Sequence, residues 1–257
     1  MNDKTLALIM AAGYGTRMGP IGKPKAMLLD QSGRPFIEDA FTFLRYQSDF
    51  LDFAVLSRYE EFFKPLNDYL HSHYSSDVFS ILHQKVEPNK LHVMAIFLEY
   101  FFRRGEVHSK ISEYANIIVL PADHKLTADD LNLEDLLEAH QHKSANLTLV
   151  FSEGWGSNPA YQDVISTDEY GKITYLQRVD PASYKDKENF KRVTSTGVWV
   201  IRRNMFDNPS RLAAAYAGFR IGTGITAGIA SAFAYMIKPG WNGLRDTPLD
   251  LERELIS

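Results

Sequence analysis

Apolar residues fall into two alternating patterns along the first half of this chain. Short runs of strand length occur at Leu6 to Ala12, Phe53 to Leu56, Phe79 to Gln84 and Ile117 to Leu120. Between them, Phe36 to Tyr46, Tyr59 to His71 and Leu91 to Arg103 carry apolar residues at helical spacing, as in Ile37, Ala40, Phe41 and Leu44. Strand-sized runs separated by amphipathic helices predict repeated β-α units, and therefore an α/β fold of Rossmann-like type with a mixed, mostly parallel central sheet flanked by helices. After a helix at Leu133 to His142, strand patterns recur at Leu147 to Ser152, Val164 to Thr167, Ile173 to Leu176 and Val198 to Ile201, now joined mainly by turns. The second half reads as mixed sheet. The charged stretch Lys185 to Arg192 reads as a solvated loop, and the small residues of Gly218 to Ala234 suit close helix packing.

Composition narrows the class. With 257 residues and 45% hydrophobic content the chain can bury one large core, so residues 1–257 are expected to form a single domain. A net charge of -4, from 28 basic and 32 acidic residues, leaves no general positive field for nucleic acid, so cations that matter must act locally. The absence of cysteine removes disulfides, thiolate catalysis and the usual structural zinc sites, and suits a cytoplasmic protein. The short polar N-terminus lacks the build of a signal peptide, and no apolar run reaches membrane-spanning length. His71 and His73, like His140 and His142, stand two apart and so do not share a helix face; they are expected at the surface, and no zinc site is proposed for them.

The chemistry concentrates at the end of the first strand. Leu8 to Met18 reads as an apolar run stopping at Ala11-Ala12-Gly13-Tyr14-Gly15-Thr16-Arg17, and Lys23-Pro24-Lys25 follows. Glycines let backbone N–H groups close around phosphate oxygens, while Arg17, Lys23 and Lys25 can neutralise a polyphosphate from several sides. A dinucleotide fingerprint would need a third glycine where Met18 stands, with a helix following, and a P-loop would need a hydroxyl where Pro24 stands. The remaining reading is a site for a nucleoside triphosphate. A second signal is Ile117-Ile118-Val119-Leu120-Pro121-Ala122-Asp123-His124, a buried strand ending in a carboxylate. At the carboxyl edge of an α/β sheet, Asp123 is expected to face the phosphates and to hold Mg2+.

These residues resemble the signature of the sugar nucleotidyltransferases, roughly L-A-A-G-x-G-T-R-[LM]-x-P followed by P-K. Gly33-Arg34-Pro35-Phe36-Ile37-Glu38 is similar to that family's turn into its first helix. Pro121-Ala122-Asp123-His124 and Glu87-Pro88 resemble the mannose-1-phosphate guanylyltransferases in particular. The resemblance implies a fold of the nucleotide-diphospho-sugar transferase type, without a C-terminal β-helix. It further implies a nucleotide-binding half over 1–145 and a sugar-phosphate-binding half over 146–257. It places Gln84 beside the base, with Ala11, Ala12, Gly13, Gly15, Thr16 and Lys23 around the nucleotide. Arg178 in Tyr175-Leu176-Gln177-Arg178-Val179 stands where the family carries a lysine on the sugar phosphate, although Gln177 replaces its glutamate. Ser195, Thr196 and Gly197 match the sugar-pocket element, with Ser195 in place of asparagine. In Trp241-Asn242-Gly243 the family's second metal ligand is replaced by glycine; Asp246 is the remaining candidate, and it equally suits the N-cap of a last helix ahead of Thr247-Pro248.

The implied reaction is in-line attack of a sugar 1-phosphate oxygen on the α-phosphorus of a nucleoside triphosphate, releasing pyrophosphate, with a GDP-hexose the favoured product. Arg17, Lys25 and Arg178 would be the catalytic cations, with Asp123 and Asp246 as metal ligands. The partners are the triphosphate and the sugar 1-phosphate, with no nucleic acid or membrane; a homo-oligomer is compatible. Two alternatives remain open. The departures at Gly243, Gln177 and Ser195 also suit a non-catalytic, nucleotide-binding regulatory homologue. The segment Thr247-Pro248-Leu249-Asp250-Leu251 also resembles the ending of cytidylyltransferases for other phosphorylated alcohols.

Overall fold

A computed structural model of the chain describes residues 4–13, 15, 19–47, 51–58, 60–74, 79–84, 113–127, 129–145, 147–154, 163–186 and 188–203. Eight strands and three α-helices alternate within these segments: β1 (Thr5–Met10), α1 (Phe36–Gln47), β2 (Leu51–Arg58), α2 (Lys64–His73), β3 (Phe79–Gln84), β4 (Asn116–Pro121), α3 (Leu133–His142), β5 (Leu147–Glu153), β6 (Asp163–Thr167), β7 (Ile173–Arg178) and β8 (Lys191–Arg202). The strands make one sheet in the order β3-β2-β1-β4-β8-β6-β7, with β5 paired to β8. Two compact units divide the described residues, one holding those from 4 to 84, 113–148 and 198–203, the other 149–197.

In the first unit β1 lies between β2 and β4 and pairs parallel with both, and β3 continues the sheet parallel to β2. The end of β8 closes that side antiparallel to β4, pairing Trp199 with Val119. Thr5 to Ile9 of β1 and Asn116 to Leu120 of β4 are buried without interruption. A parallel strand covered on both faces needs such a continuous run, which is why the sequence shows blocks rather than alternation here. Each large apolar side chain of these runs stabilises the fold by about 1.5–3 kcal/mol on burial. Phe41 of α1 stacks on Tyr74, ring centroids 4.2 Å apart, and Glu38 accepts hydrogen bonds from the hydroxyls of Tyr69 and Tyr74. At the amino ends of the strands, Asp52 binds the Lys4 ammonium at 2.9 Å and accepts from the Tyr114 hydroxyl at 2.5 Å.

The second unit is antiparallel. β6 and β7 form a hairpin, and β6 pairs on its other side with Lys191 to Val193 of β8. Thr194 and Thr196 of β8 donate their hydroxyls to the carbonyls of Gly154 and Val150, at 3.0 and 2.7 Å.

Most expected elements are present within a few residues. The helix expected from Tyr59 begins instead at Lys64, after a 3-10 turn over Glu61–Phe63. Pro65 sets this start, since its ring tolerates only the first turn of a helix. β8 starts at Lys191, so the last two residues of the charged stretch expected to be loop are strand, and Asp186 grips the Arg192 guanidinium at 2.8 and 2.6 Å. His140 corrects the expectation of surface histidines: it is fully buried, because it lies seven and three residues after Leu133 and Leu137 on the inward face of α3. His71, His73 and His142 are exposed. The expected helix at Leu91 to Arg103, Glu87-Pro88 and everything after Arg203 lie outside the described residues. Among the described residues, no helix is long and apolar enough to cross a membrane.

Candidate functional site

The order β3-β2-β1-β4 places the chain's switch of direction between β1 and β4. From β1 the chain winds outward through β2 to β3, then returns to the opposite side of β1. Loops leaving the carboxyl ends of two such strands part to either side, and the crevice between them is where open α/β sheets take ligands. Here those loops are the glycine segment after Met10 and the Pro121-Ala122-Asp123-His124 segment.

Backbone hydrogen bonds hold the two loops to their strands. The Ala11 N–H donates to the Leu56 carbonyl at 3.0 Å, and the Ala122 N–H donates to the Met10 carbonyl at 3.3 Å. Ala11, Ala12 and Ala122 are buried, whereas Gly13 is exposed, and a Cβ on it would meet nothing within 4 Å. Gly15 is constrained differently. Its φ is +66°, in the left-handed region, and a Cβ there would stand 2.7 Å from the Ile21 Cδ1. The chain then passes Pro24 into a 3-10 turn over Lys25–Met27. That turn delivers the Lys25 ammonium onto the Asp123 carboxylate, where the two form an ion pair with side chains 36% and 18% exposed. A cation from the first loop and an anion from the second thus meet at the carboxyl edge of β1 and β4.

The first unit therefore gathers Ala11, Ala12, Gly13, Gly15, Lys25 and Asp123 around one crevice, and Lys23 lies two residues before Lys25, partly exposed. Gln84 ends β3, in register with Arg58 of β2 at the same edge of the sheet. Arg178 ends β7 in the second unit, paired in register with the buried Asp163. Ser195, Thr196 and Gly197 lie on β8, where the Thr196 hydroxyl is spent on the Val150 carbonyl and Gly197 has a φ of +72°. Thr16, Arg17 and Asp246 lie outside the described residues. Among the described residues, no three His, Asp or Glu side chains converge as a metal cage.

One residue that the sequence does not single out belongs to this site. Arg58, the last residue of β2, is 1% exposed and donates through Nε to the Ala12 carbonyl at 2.9 Å. The available signal was an arginine two residues beyond the apolar run Phe53 to Leu56, which by sequence alone is indistinguishable from a surface cation.

A protein-family model described as nucleotidyl transferase matches residues 6–218, most of the chain and all of the crevice. The chain belongs to the nucleotidyl transferase family. Nucleotidyl transferase membership agrees with the fold. The structure is similar to that of HddC from Yersinia pseudotuberculosis complexed with GMP-PN, with a TM-score of 0.56 and 16% identity over 79% of this chain and 80% of that one. No curated protein matches the sequence significantly.

Proposed function

We propose that this nucleotidyl transferase joins a nucleoside triphosphate to a sugar 1-phosphate, releasing pyrophosphate and giving a nucleotide-sugar, with a GDP-hexose the favoured product. The observation that carries the reading is the Lys25–Asp123 pair at the switch point, beside the exposed Gly13. In this reading an oxygen of the sugar phosphate attacks the α-phosphorus, a new P–O bond forms, and the bond to the β-phosphate oxygen breaks with its electrons leaving on pyrophosphate. The nucleophile is already an anion, so the protein's contribution is placement and charge neutralisation.

Lys25 would serve the α-phosphate, Arg17 the departing pyrophosphate, Lys23 the outer phosphates and Arg178 the sugar phosphate. Gly13 and Gly15 would admit the triphosphate to the backbone. Mg2+ characteristically takes one or two carboxylates and completes its shell with water and substrate phosphates, and the part-buried carboxylate of Asp123 fits that mode. Asp123, with Asp246 as the further candidate, would hold it, and the bound ion would spread the negative charge of the phosphates. Lys25, now satisfied by Asp123, would then be released toward the substrate. The halves 1–145 and 146–257 would divide nucleotide and sugar phosphate between them.

The favoured base rests on the Pro121-Ala122-Asp123-His124 resemblance and on the GMP-PN held by the similar HddC structure. Pyrophosphate release, followed with and without Mg2+ over a panel of triphosphates and sugar 1-phosphates, tests the proposal. GTP with a hexose 1-phosphate is expected to give the fastest release. Release only from CTP with another phosphorylated alcohol would move the substrate class, and nucleotide binding without release from any pair would make the chain a regulator.

A further inference from the structure

We infer that Arg58 is a positioning residue for the triphosphate, its buried guanidinium holding the Ala12 carbonyl so that the Gly13 N–H is turned toward the incoming phosphates. The inference rests on the nucleotide-binding role proposed above.

Burying an arginine carries a large desolvation cost unless its donors are well used, so a guanidinium 1% exposed at the end of a strand requires a reason. Its surroundings are specific. The Arg58 Nε donates to the Ala12 carbonyl at 2.9 Å, Nη1 stands 3.5 Å from the Glu60 carboxylate, and the guanidinium carbon lies 5.8 Å from the centre of the Phe63 ring. The backbone under it is fixed by α2. Asn67 donates to the Arg58 carbonyl at 2.8 Å and accepts from the Ser57 hydroxyl at 2.7 Å. Meanwhile the Ala11 N–H is bound to the Leu56 carbonyl. β2 therefore grips the glycine loop twice, at Ala11 through a carbonyl and at Ala12 through a cation.

The second grip has a directional consequence. In a trans peptide the C=O and the N–H of the same unit point in opposite directions, and none of the described peptides is cis. With the Ala12 carbonyl drawn to Arg58, the N–H of Gly13 faces away from β2. Gly13 is itself exposed, so its backbone is within reach of a ligand. A cation on the carbonyl also polarises the peptide and makes its N–H a better donor. Phosphate oxygens are the acceptors this arrangement suits.

The test compares wild type with Arg58→Lys and Arg58→Gln, using equilibrium binding of GTP, ATP, CTP and UTP and of the matching nucleosides, with the melting temperature recorded beside each. Arg58→Gln is expected to weaken binding of the preferred triphosphate by about tenfold, the scale of a charge-assisted hydrogen bond, while nucleoside affinity stays unchanged. Arg58→Lys, which keeps the charge, is expected to recover part of that loss. Equal weakening of triphosphate and nucleoside would mark a merely structural role and overturn the inference. Unchanged triphosphate binding in both variants would overturn it too, leaving the proposed function standing. A wild type that binds no triphosphate would remove both. Should the variants fail to fold, the Gly13 amide resonance of the wild-type protein, titrated with inorganic tripolyphosphate, decides: it is expected to shift, and an unmoved signal overturns the inference.

Discussion

Lys25 and Asp123 form an ion pair that joins the loop after β1 to the loop after β4. Both side chains retain access to solvent, so the pair itself adds little to stability, on the order of 0–1 kcal/mol. A pair placed at a ligand crevice yet weak as a staple is suited to opening.

Asp123→Asn keeps the size of the side chain and removes the charge that would face the metal. Turnover is expected to fall by about a hundredfold or more, the scale of losing one preorganised electrostatic group, while the melting temperature moves by no more than about 3 °C. Lys25→Ala should show the same separation. Steady-state pyrophosphate release and thermal melting of each variant check it; a large melting shift with ordinary turnover would assign the pair to stability instead.

Two glycines separated by a single residue should respond differently to alanine. Gly15→Ala places a Cβ at a φ of +66° and 2.7 Å from the Ile21 Cδ1. The end of the isoleucine can give way, but the backbone strain remains, so destabilisation by about 1–2 kcal/mol is expected. Gly13→Ala enters open space and should leave stability within about 0.5 kcal/mol, so that any defect appears in nucleotide affinity alone. Chemical denaturation paired with nucleotide titration distinguishes the two.

His140 makes the fold sensitive to mild acid. Its Nδ1 lies 2.8 Å from the Thr148 hydroxyl, and its Nε2 has no hydrogen-bond partner among the described residues. Burial, helped by the charge of Arg202, pushes its pKa down to about 4. The folded form thus stays neutral while an unfolded chain takes up a proton near pH 6.5, so stability is whole above that pH and drains away as pH falls from about 6.5 to 4. The loss should reach at most about 3 kcal/mol. His140→Leu is expected to flatten the melting temperature over this window. Asp30, held down to about 2 chiefly by hydrogen bonds from Ser32 and Arg34, loses its contribution only between pH 3.8 and about 2, so the two effects are separable.

Asn132 caps α3, its side-chain oxygen accepting from the N–H groups of Glu134 at 2.9 Å and Asp135 at 3.2 Å. Asn132→Ala should cost about 1 kcal/mol and lower the melting temperature by about 2–4 °C. Nucleotide affinity should not change.

The sequence disclosed what local chemistry dictates and missed what tertiary packing decides. β3 and α3 were legible to the residue, since Phe79–Gln84 and Leu133–His142 coincide with expectation. The doubly covered β1 and β4 announced themselves as unbroken apolar blocks. The start of α2 was not legible, because the apolar spacing continues through Tyr59 while Pro65 governs where the first turn can form. Lys191 and Arg192 carry charge typical of loop, yet both are exposed on β8, which is compatible with a strand whose backbone pairs with β6. His140 and Arg58 share one cause of surprise: nothing local reveals whether a polar side chain points into a core. At the crevice, Gly13, Gly15, Lys25 and Asp123 were recognisable as a constellation, whereas the cation beneath the loop became visible only when β2 was laid beside β1.

The placement of β1 between β2 and β4 also bears on how the protein comes into being. The two halves of the crevice lie about a hundred residues apart along the chain, and pairing across such a separation is among the slower events of folding. A nascent chain that has emerged only as far as β3 carries the glycine loop but no counter-charge for it. On the proposed reading, nucleotide would have no complete berth until β4 has docked beside β1, and the ability to hold substrate would arrive only with that pairing.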